Sequence, residues 1–325
     1  MTIETDRNPL EWALIFDPQA EIERISTFIQ TEVARRGARG VLTGLSGGLD
    51  SSVCAYLCAR ALPIEQVHVL MLPERDSDSK LHEQAHAVVR SLGLRTSEAD
   101  MTSLMDWLGL YDDTPQEVAR NRTLLERWMR GIRRLSGAPA LFPWVQEYAY
   151  GQRRGLAAGA LQRWMWRYAG QTQAFVLGKL RARMLALSLR AARQDCLLVC
   201  TTDRSEWSIG FYDPHGDGVG DLALLSHLFK TQIRALGREL GLPESIITQP
   251  SSGDLAAGLP NEEAIGMSYE LLDHLLVGLS LGMSDEAIAL HADASPRLAA
   301  TVRSACALAD ARRGMPVRLE PLGRD

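Results

Sequence analysis

Apolar and polar residues follow two different periods in the first hundred residues of the chain. The runs at 40–44 and 67–73 are short, almost continuously apolar and rich in β-branched residues, which is typical of buried strands. In the stretches 19–37 and 81–92, apolar residues recur every three or four positions, which predicts amphipathic helices. A third strand is predicted at 95–99. Buried strands that alternate with helices predict a doubly wound α/β fold with a mostly parallel sheet.

The same alternation resumes after residue 179. A helical pattern at 179–193 is followed by a predicted buried strand at 196–202. The polar, glycine-rich stretch 203–221 is interpreted as a loop that would be expensive to order without a ligand. A helix is predicted at 230–240, and the tail from residue 268 is predicted to be helical. These patterns together predict a single domain over residues 1–325, with a sheet flanked by helices.

The segment 101–175 departs from this alternation. It contains five of the seven tryptophans, and basic residues far outnumber acidic ones in and just after it. Such a stretch is compatible with a membrane surface, a nucleic acid or a partner protein. We favour an arginine-rich solvated face whose tryptophans pack on the core or on a second subunit, because arginine replaces lysine almost throughout the chain. The segment is therefore interpreted as a basic, tryptophan-rich helical insertion.

The overall composition narrows the class of protein. A net charge of -5 and a pI near 5.9 make a general nucleic-acid binder unlikely. We expect no membrane span, because no apolar run approaches about 18 residues, and the acidic N-terminus does not resemble a signal peptide. An odd number of cysteines favours reduced thiols and a cytoplasmic location. Two C-x-x-x-C pairs could indicate a metal site, but we interpret these cysteines as buried hydrophobic residues, because each pair lies within a predicted helix or strand: Cys54, Cys58, Cys196 and Cys200.

The candidate chemistry centres on the loop Leu45–Ser52, which has the sequence L-S-G-G-L-D-S-S between a predicted strand and a predicted helix. A glycine-rich turn before a helix N-terminus leaves backbone N–H groups free to bind an anion. Asp50 would repel phosphates unless a cation intervened, so we interpret it as a magnesium ligand. The loop lacks the lysine of a Walker A motif. The alternative is an ordinary turn in which Asp50 and the serines cap the helix.

The loop resembles the S-G-G-x-D-S signature of the PP-loop ATP pyrophosphatases, which cleave ATP between its α- and β-phosphates. Later segments are similar, in order, to motifs of the NAD synthetase family within that superfamily. They are Leu180–Met184, Thr202–Phe211, Gly216–Asp221, Leu228–Arg234, Ser251–Leu255 and Gly266–Asp273. The resemblance spans roughly residues 40–275. It implies an adenine nucleotide alpha hydrolase-like fold.

The resemblance implies an AMP-forming carbon–nitrogen ligase of the ammonia-dependent form. ATP would adenylate a carboxylate, pyrophosphate would leave, and ammonia would then displace AMP. The first-choice reaction converts deamido-NAD to NAD, with ATP and Mg²⁺ required. The resemblance also implies a homodimer, and ammonia could be free or supplied by a separate glutaminase.

The resemblance also implies roles for individual residues. ATP and its departing pyrophosphate would be held by the signature loop and by three later positions: Ser46, Gly47, Gly48, Ser51, Ser52, Arg181, Thr202 and Lys230. Magnesium would be bound by oxygen ligands from Asp50, Glu206 and Ser252. Lys230 would also neutralise phosphate or oxyanion charge during catalysis. Asp217 and Asp221 would hold ammonium and take its proton, because the attacking species must be neutral ammonia.

The match is incomplete in the part that would recognise the acyl substrate. A lysine usual in the family is Pro214, the aromatic residue after it is His215, and an acidic segment is reduced at Asn261–Gly266. The acyl substrate therefore stays open between deamido-NAD and another carboxylic acid handled by a paralogous enzyme. A tRNA-modifying PP-loop enzyme is a further alternative. It would need a cysteine in an exposed loop or an RNA-binding appendage.

Overall fold

The computed structural model describes residues 8–112, 160–253 and 260–313, with no side chains described at 160–173 and 312–313. A five-stranded sheet forms the centre of this part of the chain. Its strands are β1 (Gly40–Gly44), β2 (Val67–Met71), β3 (Thr96–Glu98), β4 (Cys196–Cys200) and β5 (Leu222–Ala223). The order is β3-β2-β1-β4-β5, and every neighbouring pair is parallel. The doubly wound, parallel fold predicted from the sequence is confirmed.

Helices connect and flank the strands. In the described residues they are α1 (Pro9–Trp12), α2 (Pro18–Arg36), α3 (Leu49–Ala61), α4 (Ser79–Leu92), α5 (Thr102–Trp107), α6 (Ala160–Gln194), α7 (Arg204–Ile209), α8 (Lys230–Glu239), α9 (Glu244–Ile247), α10 (Asn261–Ile265), α11 (Tyr269–Ser280), α12 (Asp285–His291) and α13 (Pro296–Arg313). A short 3₁₀ turn spans Ile64–Gln66. None of the helices in this described part combines the length and apolarity that crossing a bilayer requires.

Both faces of the sheet are buried, as an all-parallel sheet requires. Val41 of β1 packs into a large core with apolar residues of α2, α3, α4 and α8. The next residue, Leu42, belongs to a separate cluster on the opposite face, where it packs with Met184 and Leu187 of α6. A third cluster joins α1 to the C-terminal helices through Leu10 and Tyr269.

Most element boundaries agree with the sequence prediction to within a few residues. Helices α2 and α4 end at Gly37 and Gly93, which adopt the left-handed conformation that favours glycine at a helix end. The prediction of a continuous loop at 203–221 was wrong at residues 204–209, which form α7. The short strand β5 was also missed, because two residues carry no periodic pattern. Most of the predicted insertion at 101–175 lies outside the described residues.

Because the strands are parallel, their carboxyl ends meet at one edge of the sheet. The loop Leu45–Gly48 follows β1 there, the segment that begins at Leu72 follows β2, and the segment that begins at Thr201 follows β4. Three regions that are far apart in sequence are therefore brought to one place, which is where a ligand is expected in this type of fold.

Candidate active site

The glycine-rich loop makes a sharp turn that only glycine fits at its centre. Gly47 has a φ of +83°, a conformation that L side chains rarely adopt. A Cβ atom at this position would lie 1.9 Å from the carbonyl oxygen of Leu81 in α4. The absence of a side chain therefore lets the loop pack directly on the backbone of a neighbouring helix.

Three serine hydroxyls hold the turn in shape. The Oγ atoms of Ser46 and Ser51 lie 3.0 Å apart, and the backbone N–H of Gly48 donates to Ser46 Oγ. Ser52 Oγ donates to the Gly48 carbonyl oxygen at 2.7 Å. Helix α3 begins at Leu49 without a capping side chain. The amides of its first turn therefore point toward the loop in the arrangement that binds phosphate in other α/β proteins.

A buried cluster of charges lies beside this loop. Lys230 Nζ lies 2.7 Å from Asp50 Oδ2, 2.6 Å from Asp203 Oδ2 and 3.1 Å from Glu206 Oε1. The contact with Asp203 Oδ2 brings opposite charges together without the geometry of a hydrogen bond. Lys230 and Asp203 are fully buried, and Glu206 is buried as well. One ammonium group is therefore enclosed by three carboxylates from two other parts of the chain.

Burial and mutual repulsion shift the ionisation of this cluster. Burial raises the pKa of Asp203 well above its usual range, and the charge of Glu206 raises it further. Burial likewise raises the pKa of Glu206. Burial on its own would lower the pKa of Lys230, but the three surrounding carboxylates raise it well above its usual range. Lys230 therefore stays protonated, and the carboxyl groups of Asp203 and Glu206 hold their protons to higher pH than ordinary carboxyl groups do.

The carboxylate cluster fits a hard divalent cation. Oxygen atoms of Asp50, Asp203 and Glu206 all lie within 4.8 Å of one another. Asp50 Oδ1 is buried and has no hydrogen-bond partner, so it retains unused capacity to bind a cation. Carboxylate oxygens are ligands that Mg²⁺ prefers. A divalent ion would also relieve the mutual repulsion that contributes to the raised pKa values of Asp203 and Glu206.

Neighbouring residues fix the positions of these charged groups. Tyr269 donates a hydrogen bond to Glu206 Oε1 at 2.8 Å, and its ring lies 4.9 Å from Lys230 Nζ. Asp273 accepts hydrogen bonds from Ser205 Oγ of α7 and from the backbone N–H of Thr231 in α8. Asp273 thus holds together the two helices that carry Glu206 and Lys230.

Asp217 lies near the charge cluster, and the pKa of its carboxyl group is unusually high. Although part of this residue reaches the surface, burial of its carboxyl raises the pKa of Asp217 to about 7, and the charge of Glu206 contributes to the rise. The backbone N–H of Asp213 donates to Asp217 Oδ1 at 2.7 Å. Thr202 is buried, and its hydroxyl donates to the Asp217 carbonyl oxygen. A carboxyl group with a pKa near neutrality can exchange protons readily at cellular pH.

Two ion pairs position α6 over this edge of the sheet. Arg181 makes a two-pronged contact with buried Asp213, at 2.7 and 3.1 Å. Two residues earlier, Lys179 Nζ donates to Glu74 Oε1 at 2.6 Å, and both side chains are fully enclosed. Tyr111 donates to the other oxygen of Glu74. The long helix is therefore anchored to the segments that follow β2 and β4.

Two candidate residues lie in other settings. Asp221 forms an ion pair with Arg36 at the end of α2, and its Oδ2 accepts from the backbone N–H of Leu198. These contacts hold the start of β5 and do not bring Asp221 to the charge cluster. Ser252 is half-buried in the segment that precedes α10. Gln249, three residues before Ser252, donates to the Gly47 carbonyl oxygen, so this segment lies against the glycine-rich loop.

Sequence reasoning missed Asp203, although a local signal was available. Asp203 caps α7 by accepting from the backbone N–H of Glu206 at 2.7 Å. An Asp followed three residues later by Glu is a typical helix-start pattern. It would have predicted both the helix and the closeness of these two carboxylates. The pair of Glu74 and Lys179 had no such signal, because its partners are 105 residues apart.

The parallel sheet, the glycine-rich turn and the adjacent carboxylate cluster define a nucleotide-binding α/β protein of the PP-loop class. Comparison with known sequences is more specific. A family model described as NAD synthase matches residues 21–126 and 165–316. The chain belongs to the NAD synthase family, whose members are carbon–nitrogen ligases that form AMP from ATP.

Similar proteins match along most of their length. The NH₃-dependent NAD⁺ synthetase of Coprothermobacter proteolyticus is 33% identical over 276 residues, which cover 82% of this chain and 86% of the relative. The enzyme of the same name from Chlorobium phaeobacteroides is 30% identical over 293 residues, which cover 90% of this chain and 86% of the relative. The solved NH₃-dependent NAD synthetase of Campylobacter jejuni shares the fold, with a TM-score of 0.62, 23% identity and coverage of 94% and 100%. The solved NMN synthetase of Francisella tularensis also shares the fold, with a TM-score of 0.64, 19% identity and coverage of 94% and 99%.

Proposed function

We propose that this protein joins ammonia to the carboxylate of deamido-NAD, with ATP as the energy source, and releases NAD, AMP and pyrophosphate. The relatives named NH₃-dependent NAD⁺ synthetases support this assignment. The observation that carries it is the cluster of Asp50, Asp203, Glu206 and Lys230 beside a phosphate-binding turn. This arrangement suits the departure of a diphosphate from ATP.

The reaction needs two steps, because a carboxylate is a poor electrophile. An oxygen of the substrate carboxylate attacks the α-phosphorus of ATP, and the bond to the β-phosphate breaks. The product is an acyl adenylate with pyrophosphate as the leaving group. The nitrogen of ammonia then attacks the acyl carbon, and AMP leaves with the oxygen that it gained in the first step.

The glycine-rich loop would bind the departing diphosphate. Its hydroxyl and amide donors come from Ser46, Gly47, Gly48, Ser51 and Ser52, and the N-terminal end of α3 adds a favourable dipole. Arg181 and Thr202 lie on the α6 and β4 sides of the same edge and would contact the rest of the nucleotide. Fixed donors stabilise a leaving anion without having to reorganise during the reaction.

Asp50, Asp203 and Glu206 would hold Mg²⁺, with Ser252 as a further oxygen ligand from the segment that contacts the loop. The ion would supply positive charge that stabilises the leaving pyrophosphate. Lys230 adds a permanent positive charge in a dry environment, where its effect on phosphate oxygens is larger than in water. Its enclosure by carboxylates keeps this ammonium group charged.

Asp217 would bind ammonium and accept its proton, so that neutral ammonia attacks the adenylate. A pKa of about 7 suits a group that takes up and returns a proton near neutral pH. Asp221 contributes to the packing of β5 in our proposal, because its carboxylate pairs with Arg36. A homodimer, and a separate glutaminase as the ammonia source, stay predictions of the sequence resemblance.

The thiols of the chain do not favour the tRNA-modifying alternative. Four of the five cysteines are buried, and Cys306 is half-buried. Burial raises the pKa of Cys58 to about 12 and that of Cys54 well above its usual value, so neither thiol is poised to carry sulfur as a thiolate.

The test is a comparison of acyl substrates with the purified 325-residue chain. ATP, Mg²⁺ and ammonium would be mixed separately with deamido-NAD, nicotinate mononucleotide and a panel of simpler carboxylic acids, and AMP and the amide would be measured. We expect equimolar AMP and NAD with deamido-NAD. AMP formed only with another acid would instead identify the paralogous ligase, and formation of ADP would contradict the proposed bond cleavage. The variant Asp50→Asn should lose AMP formation, whereas the matched change Asp17→Asn, at the exposed start of α2, should retain it.

A further inference from the structure

A second group of metal-binding side chains lies on α4 and on the edge strand β3. His82 and His86 are four residues apart and therefore project from the same side of α4. Glu98 is the last residue of β3 and pairs in register with Met71 of β2. The Nε2 atoms of the two histidines lie 3.1 Å apart. They lie 3.6 and 3.5 Å from the two carboxylate oxygens of Glu98.

These separations match the edges of a metal tetrahedron. Zinc binds imidazole nitrogen and carboxylate oxygen at about 2.0–2.2 Å, so adjacent donors of a tetrahedral site are roughly 3.3–3.5 Å apart. The observed separations of 3.1, 3.5 and 3.6 Å are close to this range, and the two histidines face different oxygens of Glu98. The donors could therefore converge on one ion with only small side-chain movements.

Helix α4, which carries both histidines, is packed on the core. Leu81 and Ala85 are buried on the core side of α4, and the Leu81 carbonyl oxygen faces Gly47. His82 and His86 follow these residues by one position each and are half-buried. A site on a packed helix and a paired strand is held more accurately than one on loops.

We propose that His82, His86 and Glu98 bind a divalent transition ion of the zinc class. Two imidazoles and one carboxylate form a set that suits Zn²⁺, Co²⁺ or Ni²⁺ better than Mg²⁺. The donors differ from the all-oxygen cluster at Asp50, so the chain offers two sites with different metal preferences. The side chains of the three ligands are 34, 37 and 40% exposed, which leaves a fourth position open to water.

A bound ion would join α4 to the edge of the sheet. Strand β3 has only three residues and pairs with β2 alone in the described sheet, so its attachment is weak. An ion held by both elements would stabilise the native state, because the ligands are not assembled in the unfolded chain. It would also restrain the helix against which the glycine-rich loop packs.

The same side chains have a simpler interpretation without a metal. The imidazole rings meet edge to face with centroids 4.6 Å apart, and one ring could donate a hydrogen bond to the other. Glu98 would then be an ordinary polar neighbour. The metal site predicts that each chain binds one ion, whereas the hydrogen-bonded pair of histidines predicts no such binding.

The test is titration of the full-length protein with Co²⁺ in the presence of excess Mg²⁺, which fills the carboxylate cluster. Tetrahedral Co²⁺ with imidazole ligands absorbs in the visible region, and zinc should displace it. We expect one such site per chain, together with a rise in the melting temperature when zinc is added. The variants His82→Ala and His86→Ala should each weaken binding at least tenfold and remove the zinc-dependent rise.

The matched control is His227→Ala. His227 also contacts a carboxylate, that of Glu21, at 2.7 Å. Within the described residues, no second histidine lies beside this pair. This variant should bind Co²⁺ as tightly as the unmodified chain. Equal Co²⁺ binding by His82→Ala and by the unmodified chain would overturn the proposal, as would the absence of a stoichiometric site. A test of metal binding does not depend on ligase activity, so it can fail while the proposed function stands.

Discussion

Lys230 Nζ lies 2.7 Å from Asp50 Oδ2, although the two residues are 180 positions apart in sequence. Asp50 is the second residue of α3, and Lys230 is the first residue of α8. Both helices begin at the carboxyl edge of the sheet. The contact therefore joins the glycine-rich turn to an element far along the chain, and neither region contains the complete charge cluster.

Replacing Lys230 by methionine should destabilise the fold strongly. The change leaves three carboxylates, two of them buried, without their cation, and breaking one side of a buried ion pair costs about 3–5 kcal/mol. The loss of stability in this variant should be larger at pH 8 than at pH 5. The raised pKa values of Asp203 and Glu206 allow these groups to take up protons as the pH falls. Urea unfolding at both pH values measures the difference.

The matched control is Lys80→Met on the exposed face of α4. Replacing an exposed lysine should change the free energy of unfolding by no more than about 0.5 kcal/mol. If both variants unfold at the same urea concentration, then the buried cluster does not stabilise the protein.

Gly47→Ala should disrupt the glycine-rich turn. The added Cβ would meet the Leu81 carbonyl oxygen and would occupy a backbone conformation that favours glycine. Overpacking and backbone strain should together lower the free energy of unfolding by about 3 kcal/mol. Displacement of the loop by about 1 Å should lower kcat/KM for ATP by about 100-fold. Thermal unfolding and steady-state kinetics measure the two effects.

Gly37→Ala separates backbone strain from loop geometry. Gly37 also has a positive φ, of +64°, but a Cβ there would have open space around it. This variant should lose about 1 kcal/mol of stability and keep the unmodified kcat/KM for ATP. An equal kinetic effect in both variants would refute the role that we assign to the turn.

The features that the sequence predicted well are local. The strands at 40–44 and 196–200 are continuous apolar runs, and the signature loop joins a strand to a helix start. Each of these depends on neighbours within a few residues. They were sufficient to identify the α/β class and to predict that Asp50 lies at the carboxyl edge of the sheet.

The features that were missed depend on long-range contacts. Nothing local at Lys179 reveals that its ammonium group is buried against Glu74, 105 residues earlier. Asp221 stands in a motif that resembles the family, yet its contact with Arg36 is set by the position of β5 in the sheet. Burial of Asp217 raises its pKa, and this burial depends on how the 213–218 segment folds back.

Asp217→Asn should change how stability depends on pH. The pKa of Asp217 is about 7 in the folded protein and about 3.9 for an ordinary aspartate. Between these values the folded protein binds more protons than the unfolded chain, so the free energy of unfolding falls as the pH rises. The asparagine variant cannot titrate, so its decline between pH 4 and 7 should be shallower. Urea unfolding across this range tests the prediction.

The same variant should separate the two chemical steps. Loss of the proposed proton acceptor should lower amide formation by about 100-fold or more, whereas ATP–pyrophosphate exchange, which reports adenylation, should persist. Asp221→Asn is the matched control, because its carboxylate pairs with Arg36 away from the cluster. Equal losses of amide formation in the two variants would contradict the assignment of this role to Asp217.

Asp203→Asn tests whether the third carboxylate of the cluster binds magnesium or only shapes the protein. Asparagine has the same shape and can still cap α7 through its side-chain oxygen, so the helix should persist. The change removes one negative charge from the oxygen set, and Mg²⁺ affinity depends on that charge. We expect the Mg²⁺ concentration for half-maximal AMP formation to rise about tenfold. Asp100→Asn alters an exposed carboxylate that accepts a hydrogen bond from the backbone N–H of Thr102, and it should leave the Mg²⁺ dependence unchanged. An unaltered Mg²⁺ requirement in Asp203→Asn would confine this residue to capping α7 and pairing with Lys230.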